Sequence, residues 1–594
     1  MSDIIQKSII EHASRWLKQE CDEHHRTQLE SWLHIYAASL RDDSHFEIDE
    51  IQNAILEIRE RFGASLQFGT AGLRGEMGVG SNRMNSTVVR RTSMGIAKYL
   101  LSQNIETPLV VIGYDARLNS EIYAKIAADA FSMLGCEVFL FDTIVPTPLL
   151  SYAVPYLRCD VGIMITASHN PPKDNGYKVY WNEGAQIVSP HDTEMARHIE
   201  EVSWDPIDMI SSQPKVPPQD CIEGYLSAVQ CLRVTPKLGA KIVYTPMHGV
   251  GGPWLEKVFV DAGHNFIPVP EQIEPDGLFP TVAFPNPEEK GALDLAKKVA
   301  LEVNADLILA NDPDADRLAV ALPIRKEDGS VVYEQLTGDQ VGLILAHYLL
   351  QHGDADIPRM VATTVVSSSQ LRQIADHHSV EYRETLTGFK YIGEEAIQFE
   401  KQGGQFVVGF EEALGYSAGS VAKDKDGLST ALLIADLASV LKSEGKTLWD
   451  ALHEIRMLFG YTLSKQYSIT RTGIQGAQEI EMMMGNLRDD QPLVIANSKV
   501  IRHLDILNSY EVITTDQEEI RRKLQLPKSN VLIYHLDDGG RVVVRPSGTE
   551  PKIKFYFEVK LPLPNIESLS SVHQLAQARI LQLQDDMLEQ ASLD

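Results

Sequence analysis

Short apolar runs separated by stretches of helical periodicity recur along most of the 594 residues. The runs are LVVIG (109–113), EVFLF (137–141), VGIMI (161–165), KIVYT (241–245), DLILA (306–310), MVATT (360–364) and FVVGF (406–410). Brief apolar runs of this kind, alternating with helical patterns, predict buried strands in α/β domains with largely parallel sheets. Residues 1–60 read differently. Ile5, Ile9, Ala13 and Trp16 fall at helical spacing, so this region is expected to form a helical extension without obvious chemistry of its own. The chain is too long for one domain, and the usual domain size suggests roughly three to five. Three breaks in the pattern mark boundaries: the Pro-rich QPKVPPQD (213–220), the polar PIRKEDGS (323–330), and the end of a long helical stretch near 460. The expected divisions are therefore 1–60, 61–212, 213–325, 326–460 and 461–594.

Charge narrows the partners. Lys and Arg number 54 against 82 Asp and Glu, a net −28. Nucleic acid and anionic membranes demand basic surface, so neither is expected as a partner. An anionic substrate would need a locally basic site inside an acidic protein. The five cysteines are scattered with no CxxC, which reads as reduced thiols in a cytoplasmic protein rather than a disulfide frame or a zinc site. The N-terminal stretch has no continuous apolar signal core, and no run of 18 apolar residues suggests a membrane span.

Five stretches carry candidate chemistry. TASHNPP (166–172) puts Ser168 just after the apolar run VGIMI, where the end of a buried strand meets the mouth of a sheet. A serine there is a candidate for phosphorylation or attack on phosphorus; an ordinary strand-to-loop turn is the plain alternative. NDPDADR (311–317) alternates Asp312, Asp314 and Asp316, so that three carboxylates point one way in an extended loop. Such charges repel unless a cation sits between them, and an all-oxygen set suggests a hard ion, most simply Mg²⁺. An EF-hand fails, because its sixth and twelfth positions would be Arg317 and Pro323. RPSGTEPK (545–552) offers the Arg545 fork, the hydroxyls of Ser547 and Thr549, and a nest-forming Gly548, which together suit a phosphate. FGTAGLRGEMG (68–78) adds glycines that permit close backbone approach, and the fixed charge of Arg74. GFEEALGY (409–416) presents Glu411 and Glu412, suited either to sugar hydroxyls or to a helix N-terminus, and KDKDG (423–427) follows with Lys425. A lysine among aspartates is most simply a surface ion-pair partner.

Other enzyme classes are excluded by missing parts. GKT at 445–447 lacks the Walker A glycine, since position 440 is Val440, and GVGG (249–252) is not GxGxxG. No GxSxG elbow surrounds Ser168, and His169 beside it is not expected to serve as its base, because adjacent side chains diverge.

TASHNPP, NDPDADR, GFEEALG and RPSGTEPK, in that order, together with GTAGLRG (69–75) and GYDAR (113–117), resemble the α-D-phosphohexomutase superfamily from about residue 60 to residue 558. The resemblance implies four domains around a central cleft, three related α/β domains with mixed sheets and a smaller α+β C-terminal domain, each supplying one loop. It implies that Ser168 carries the phosphoryl group and that Asp312, Asp314 and Asp316, with the phosphoserine oxygen, hold Mg²⁺. It implies sugar recognition by Glu411 and Glu412, and phosphate binding by Arg545, Ser547, Gly548 and Thr549, with Arg317 close to the phosphate. Arg74 and His169 match polar residues near the phosphoryl group, and Lys178 or Lys425 matches positions for general acid–base work. A sugar bisphosphate is the implied activator, a phosphosugar the substrate, and a monomer or homodimer the assembly.

One residue departs from the pattern. Glucose and mannose enzymes of this superfamily commonly carry Glu-x-Ser in the sugar loop, and here that serine is Ala413. The FEEALGY form, with TPMHGVGG (245–252) and TGFKYIG (387–393), looks more like the long phosphoglucomutase and phosphopentomutase branch. The expected activity is interconversion of glucose 1- and 6-phosphates, with pentose or mannose phosphates, bisphosphate synthesis, or a silent sugar-phosphate-binding role as the alternatives.

Overall fold

The computed structural model describes every residue except 1–2, 21, 42–44, 70–71, 206–210, 355, 472, 516, 548–551 and 592–594. The chain forms two compact units, one of Met1–Leu336 with Gly415–Ser439, the other of Thr337–Leu414 with Val440–Asp594. Each of the seven apolar runs contains a strand.

In the first unit, one sheet has the order Leu73–Glu76, Asp174–Trp181, Val161–Ile165, Leu109–Tyr114, Glu137–Leu140. Its last three strands are parallel and its first two antiparallel. A second sheet repeats the pattern with Val331–Gln335, Leu318–Arg325, Leu307–Asn311, Ile242–Thr245 and Phe266–Pro268. Val161–Ile165 and Leu307–Asn311 are buried along their whole length, which is why they read as continuous apolar runs rather than alternating ones. The polar stretch 323–330 finishes one strand and turns a hairpin: Val331–Gln335 pairs back on Leu318–Arg325, so the second sheet extends to Gln335.

Residues 1–60 are not a loose appendage. Three helices, Asp3–Trp16, Glu23–Ser39 and Ile48–Phe62, bury Ala13, Trp16, Leu29, Ile58 and Phe62 in the core of the first α/β domain. The Trp16 ring lies 5.2 Å from that of Trp204 and 5.6 Å from Phe62.

In the second unit, Glu381–Thr385, Arg359–Thr364 and Gln405–Glu411 form a parallel set. A fully antiparallel sheet follows, ordered Tyr461–Thr470, Lys552–Leu561, Arg541–Pro546, Leu532–Leu536, Ser498–Asp505, Tyr510–Thr514, Glu519–Lys523. Helices Gly473–Asp489 and Leu569–Ala591 cover it through Met484, Leu487, Ala576, Ile580 and Leu583. Cys136, Cys159, Cys221 and Cys231 are free thiols. No helix among the described residues is long and apolar enough to cross a membrane.

Candidate active site

The three loops singled out in the sequence leave equivalent strands. TASHNPP follows Val161–Ile165, NDPDADR begins at the end of Leu307–Asn311, and EEALG begins at the end of Gln405–Glu411; each of these is the third strand of its domain's parallel set. Each loop holds one non-glycine residue in the left-handed region: Ser168 (φ 53°), Ala315 (φ 55°) and Leu414 (φ 62°). That conformation costs roughly 1–2 kcal/mol for a residue with a Cβ, so the surrounding hydrogen bonds must hold it.

In the first unit, the Ser168 and aspartate loops meet. Ser168 Oγ donates to Asp312 Oδ2 at 2.9 Å, across 144 residues of chain. The serine and all three aspartates are buried. One oxygen from each aspartate lies within 4.8 Å of the others. Asp314 Oδ1 and Asp316 Oδ1 are buried without a hydrogen-bond partner among the described residues. Burial and then the charges of Asp316 and Asp314 push the Asp312 carboxyl well above the usual carboxylate range. Oxygen donors left unsatisfied, among carboxylates that destabilise one another, are what a hard divalent cation requires. The donor set therefore fits Mg²⁺.

Two lysines enter the same cluster. Lys178 is delivered by strand pairing, opposite Met164 at the end of the strand that leads to Ser168. Its Nζ donates to Asp314 Oδ2 at 2.7 Å and to Asp316 Oδ2 at 2.8 Å. Burial alone would lower its pKa, but Asp314 and Asp316 outweigh burial and hold it above its ordinary value. Lys425 Nζ lies 3.3 Å from Asp316 Oδ2 and 3.1 Å from Asp424 Oδ1. It is buried and is not the surface ion-pair partner that its neighbours suggested. Asp316 is correspondingly held low: burial would raise it, and Lys178, Lys425 and Arg317 more than compensate.

His169 corrects the expectation drawn from adjacency. With Ser168 in the left-handed region, the His169 ring turns toward it, and Nδ1 lies 3.2 Å from Ser168 Oγ. Burial, then the charges of Arg317 and Arg74, hold this imidazole well below its ordinary pKa, so it is neutral. Arg74 sits exposed on the edge strand and donates to Asn170 Oδ1 at 3.1 Å. Arg317 Nε lies 3.9 Å from both Asp312 Oδ2 and Asp316 Oδ1.

In the second unit, Glu411 Oε1 accepts from the Gly388 N–H at 2.8 Å, which joins TGFKYIG to the EEALG loop. Glu412 Oε2 accepts from Ser367 Oγ at 2.9 Å. Arg545 is the penultimate residue of the strand Arg541–Pro546, and Ser547 N donates to Lys552 O at 2.7 Å. Gly548 and Thr549 lie outside the described residues.

Models of the phosphoglucomutase/phosphomannomutase α/β/α domains I, II and III match residues 65–205, 222–323 and 337–458, and that of the family's C-terminal domain matches 512–569. The chain belongs to this family. It is a phosphosugar mutase. A probable phosphomannomutase of Haemophilus influenzae is 42% identical over 487 residues, covering 80% of this chain and 93% of that protein. A Mus musculus phosphopentomutase is 38% identical over 549 residues, covering 86% of each. A Staphylococcus aureus phosphoglucomutase is 38% identical over 520 residues, covering 86% of this chain and 92% of that one. Among solved structures, a Paramecium phosphoglucomutase, parafusin, shares the fold with a TM-score of 0.64 at 18% identity, over 89% of this chain and 95% of that one.

Some residues of the mutase that build this region carried no signal of their own in the sequence. Thr147 Oγ1 donates to Asp314 Oδ2 at 2.6 Å, and Tyr180 donates to Asp424 Oδ2 at 2.8 Å. Arg117, seen only as the end of GYDAR, is buried and gives its guanidinium to the backbone of the Ser168 loop. Its motif was visible; its role was not.

Proposed function

We propose that this mutase is a phosphoglucomutase that moves a phosphoryl group between Ser168 and the sugar. The observation that carries the reading is the Ser168 hydroxyl set 2.9 Å from Asp312, at the mouth of a buried three-aspartate cluster. A serine oxygen beside a cation-binding carboxylate set suits phosphoryl transfer, whose catalysis is largely positioning and charge neutralisation.

In the proposed cycle Ser168 rests as the phosphoserine. Glucose 1-phosphate docks its phosphate on the loop from Arg545 to Thr549, with Glu411 and Glu412 accepting from ring hydroxyls. The sugar O6 attacks phosphorus, the bond from phosphorus to Ser168 Oγ breaks, and the O6 proton passes to a base. The resulting glucose 1,6-bisphosphate turns over, and Ser168 Oγ attacks the phosphorus at O1, releasing glucose 6-phosphate and restoring the phosphoserine. No water is consumed. Asp312, Asp314 and Asp316 would hold Mg²⁺, which when bound neutralises charge on the transferring group. Lys178 and Lys425 are the proton-transfer candidates: both are buried against Asp316.

Ala413 supports a second reading, a phosphopentomutase, because the missing hydroxyl removes one partner for a hexose. The test is kcat/KM for glucose, mannose and ribose 1-phosphates with Mg²⁺ and a trace of bisphosphate, with Ser168→Ala as the blank. A preference of at least tenfold for glucose 1-phosphate, about 1.4 kcal/mol, supports the first reading. The same preference for ribose 1-phosphate replaces it with the second.

A further inference from the structure

Within the second unit, a cavity of about 450 Å³ opens at the seam between the parallel strands of the third domain and the antiparallel C-terminal sheet. From one side, Ser369 and Arg372 at the start of helix Gln370–His377, and Glu384 on strand Glu381–Thr385, line it. From the other side come Arg502, His535 and Lys560, each on a different strand.

This is not the loop expected to take substrate phosphate. In the antiparallel register, Arg545 faces Lys554 and Arg541 faces Glu558, so Lys560 lies at the opposite end of its strand from that loop. Lys560 lies six positions beyond Lys554, roughly 20 Å of extended chain.

The lining carries two arginines, one carboxylate and Lys560, whose ammonium burial pushes below its ordinary pKa, in a chain whose net charge is −28. Glu384 is already engaged, 3.0 Å from Arg541 Nη1. Arg502 pairs with Glu511 at 2.6 Å, and Lys560 Nζ lies 3.8 Å from Glu558. Arg372 stands apart. Its guanidinium lies over the Tyr382 ring, 4.3 Å from the centroid, and it forms no ion pair among the described residues. A stacked guanidinium of this kind is pre-organised for a planar or tetrahedral oxyanion. His535 reports the local field: burial, then the charges of Arg541 and Arg502, push its imidazole down to about 3, so it enters the cavity neutral. The volume suits a small metabolite rather than a single ion.

We propose that this cavity is a second anion site, which takes a small molecule bearing phosphate through Arg372, Arg502 and Lys560 and ties the third domain to the C-terminal sheet. Val365, Val366 and Leu386 already pack against Leu504, Ile533 and Val543 across that seam, so an occupant adds charge contacts to an existing apolar joint. It also touches the strand Lys552–Leu561, whose other end borders the substrate-phosphate loop.

The probe is inorganic pyrophosphate, titrated calorimetrically into the full chain carrying Arg545→Ala, which removes the competing arginine of the substrate loop. The expected result is one saturable site, weakened at least tenfold, about 1.4 kcal/mol, by adding Arg372→Ala, and weakened less by Arg372→Lys. Arg372→Ala in the otherwise natural chain leaves basal turnover and the unliganded melting midpoint unchanged. Absence of saturable binding, or affinity untouched by Arg372→Ala and by Lys560→Met, overturns the proposal. Neither result depends on which sugar the enzyme prefers, because the comparison is between variants at constant Arg545→Ala.

Discussion

Arg117 grips the peptide backbone of Ser168. Its Nη2 donates to the Ser168 carbonyl and to that of Asn170, both at 2.6 Å, while Nη1 reaches the carbonyls of Pro171 at 2.9 Å and Asp174 at 3.2 Å. One buried side chain thus holds the left-handed turn that presents the serine. Asp115 backs it from 3.4 Å. Arg117→Ala would leave Asp115 buried without its charged partner and should destabilise the first domain by about 3–5 kcal/mol. Arg117→Lys keeps the charge and loses the fork. It should lower kcat by about a hundredfold through misplacement of Ser168 while the sugar KM changes little. Steady-state kinetics and thermal melts of both variants check this, and wild-type kcat in Arg117→Lys would count against it.

Metal removal should stop turnover. Asp314 Oδ1 and Asp316 Oδ1 accept no hydrogen bond among the described residues, so a chelator should strip the ion without unfolding the loop, and added Mg²⁺ should restore activity. Asp314→Asn removes one anionic donor and should reduce kcat/KM at fixed Mg²⁺ by at least a hundredfold, about 2.7 kcal/mol, with partial recovery at higher Mg²⁺. Full activity in the presence of excess chelator would contradict this.

The sugar loop offers a gain-of-function test. Ala413→Ser restores the hydroxyl found in glucose and mannose enzymes. A new hydrogen bond to a hexose hydroxyl should raise the ratio of kcat/KM for glucose over ribose 1-phosphate by three- to tenfold, about 0.7–1.4 kcal/mol. An unchanged ratio means residue 413 does not face the sugar.

Asp339, in the second unit, gives a pH dependence of its own. It is buried and accepts from the Ser368 N–H at 2.8 Å, and burial raises its carboxyl from 3.8 to about 7. The folded protein then holds a proton that the unfolded chain has released between those two values. Its contribution to stability is therefore present below pH 3.8 and is lost as pH rises through 7. Asp339→Asn keeps an acceptor and has nothing to ionise. Thermal melts should show its stability relative to wild type rising between pH 5 and pH 8, by at most about 3 kcal/mol. A difference that stays flat, or falls, over that range would refute the assignment.

Much of this was legible in the sequence because it is local. A strand buried on both faces writes a continuous apolar run, as in VGIMI and DLILA, and three alternating aspartates mark a carboxylate cluster that could hold a cation. What was not legible joins distant positions. Thr147 and Asp314 are 167 residues apart and Tyr180 and Asp424 are 244 apart, and no periodicity encodes such meetings. His169 was misjudged for a backbone reason: adjacent side chains diverge in extended chain, but a positive φ at Ser168 brings the two together. Lys425 looked like a surface residue because its sequence neighbours are charged, and only packing against Asp316 reveals that the whole cluster is buried.

Ser168 should carry the phosphoryl group that reaches the sugar. Enzyme labelled with radioactive phosphate, its label mapped to the peptide containing Ser168, would be mixed with unlabelled glucose 1-phosphate in a rapid-quench instrument. Label should leave the protein and appear in sugar bisphosphate and then sugar monophosphate within a single turnover, at a rate no slower than kcat. Label that stays on the protein through many turnovers, or that is released as inorganic phosphate without entering sugar, would contradict it.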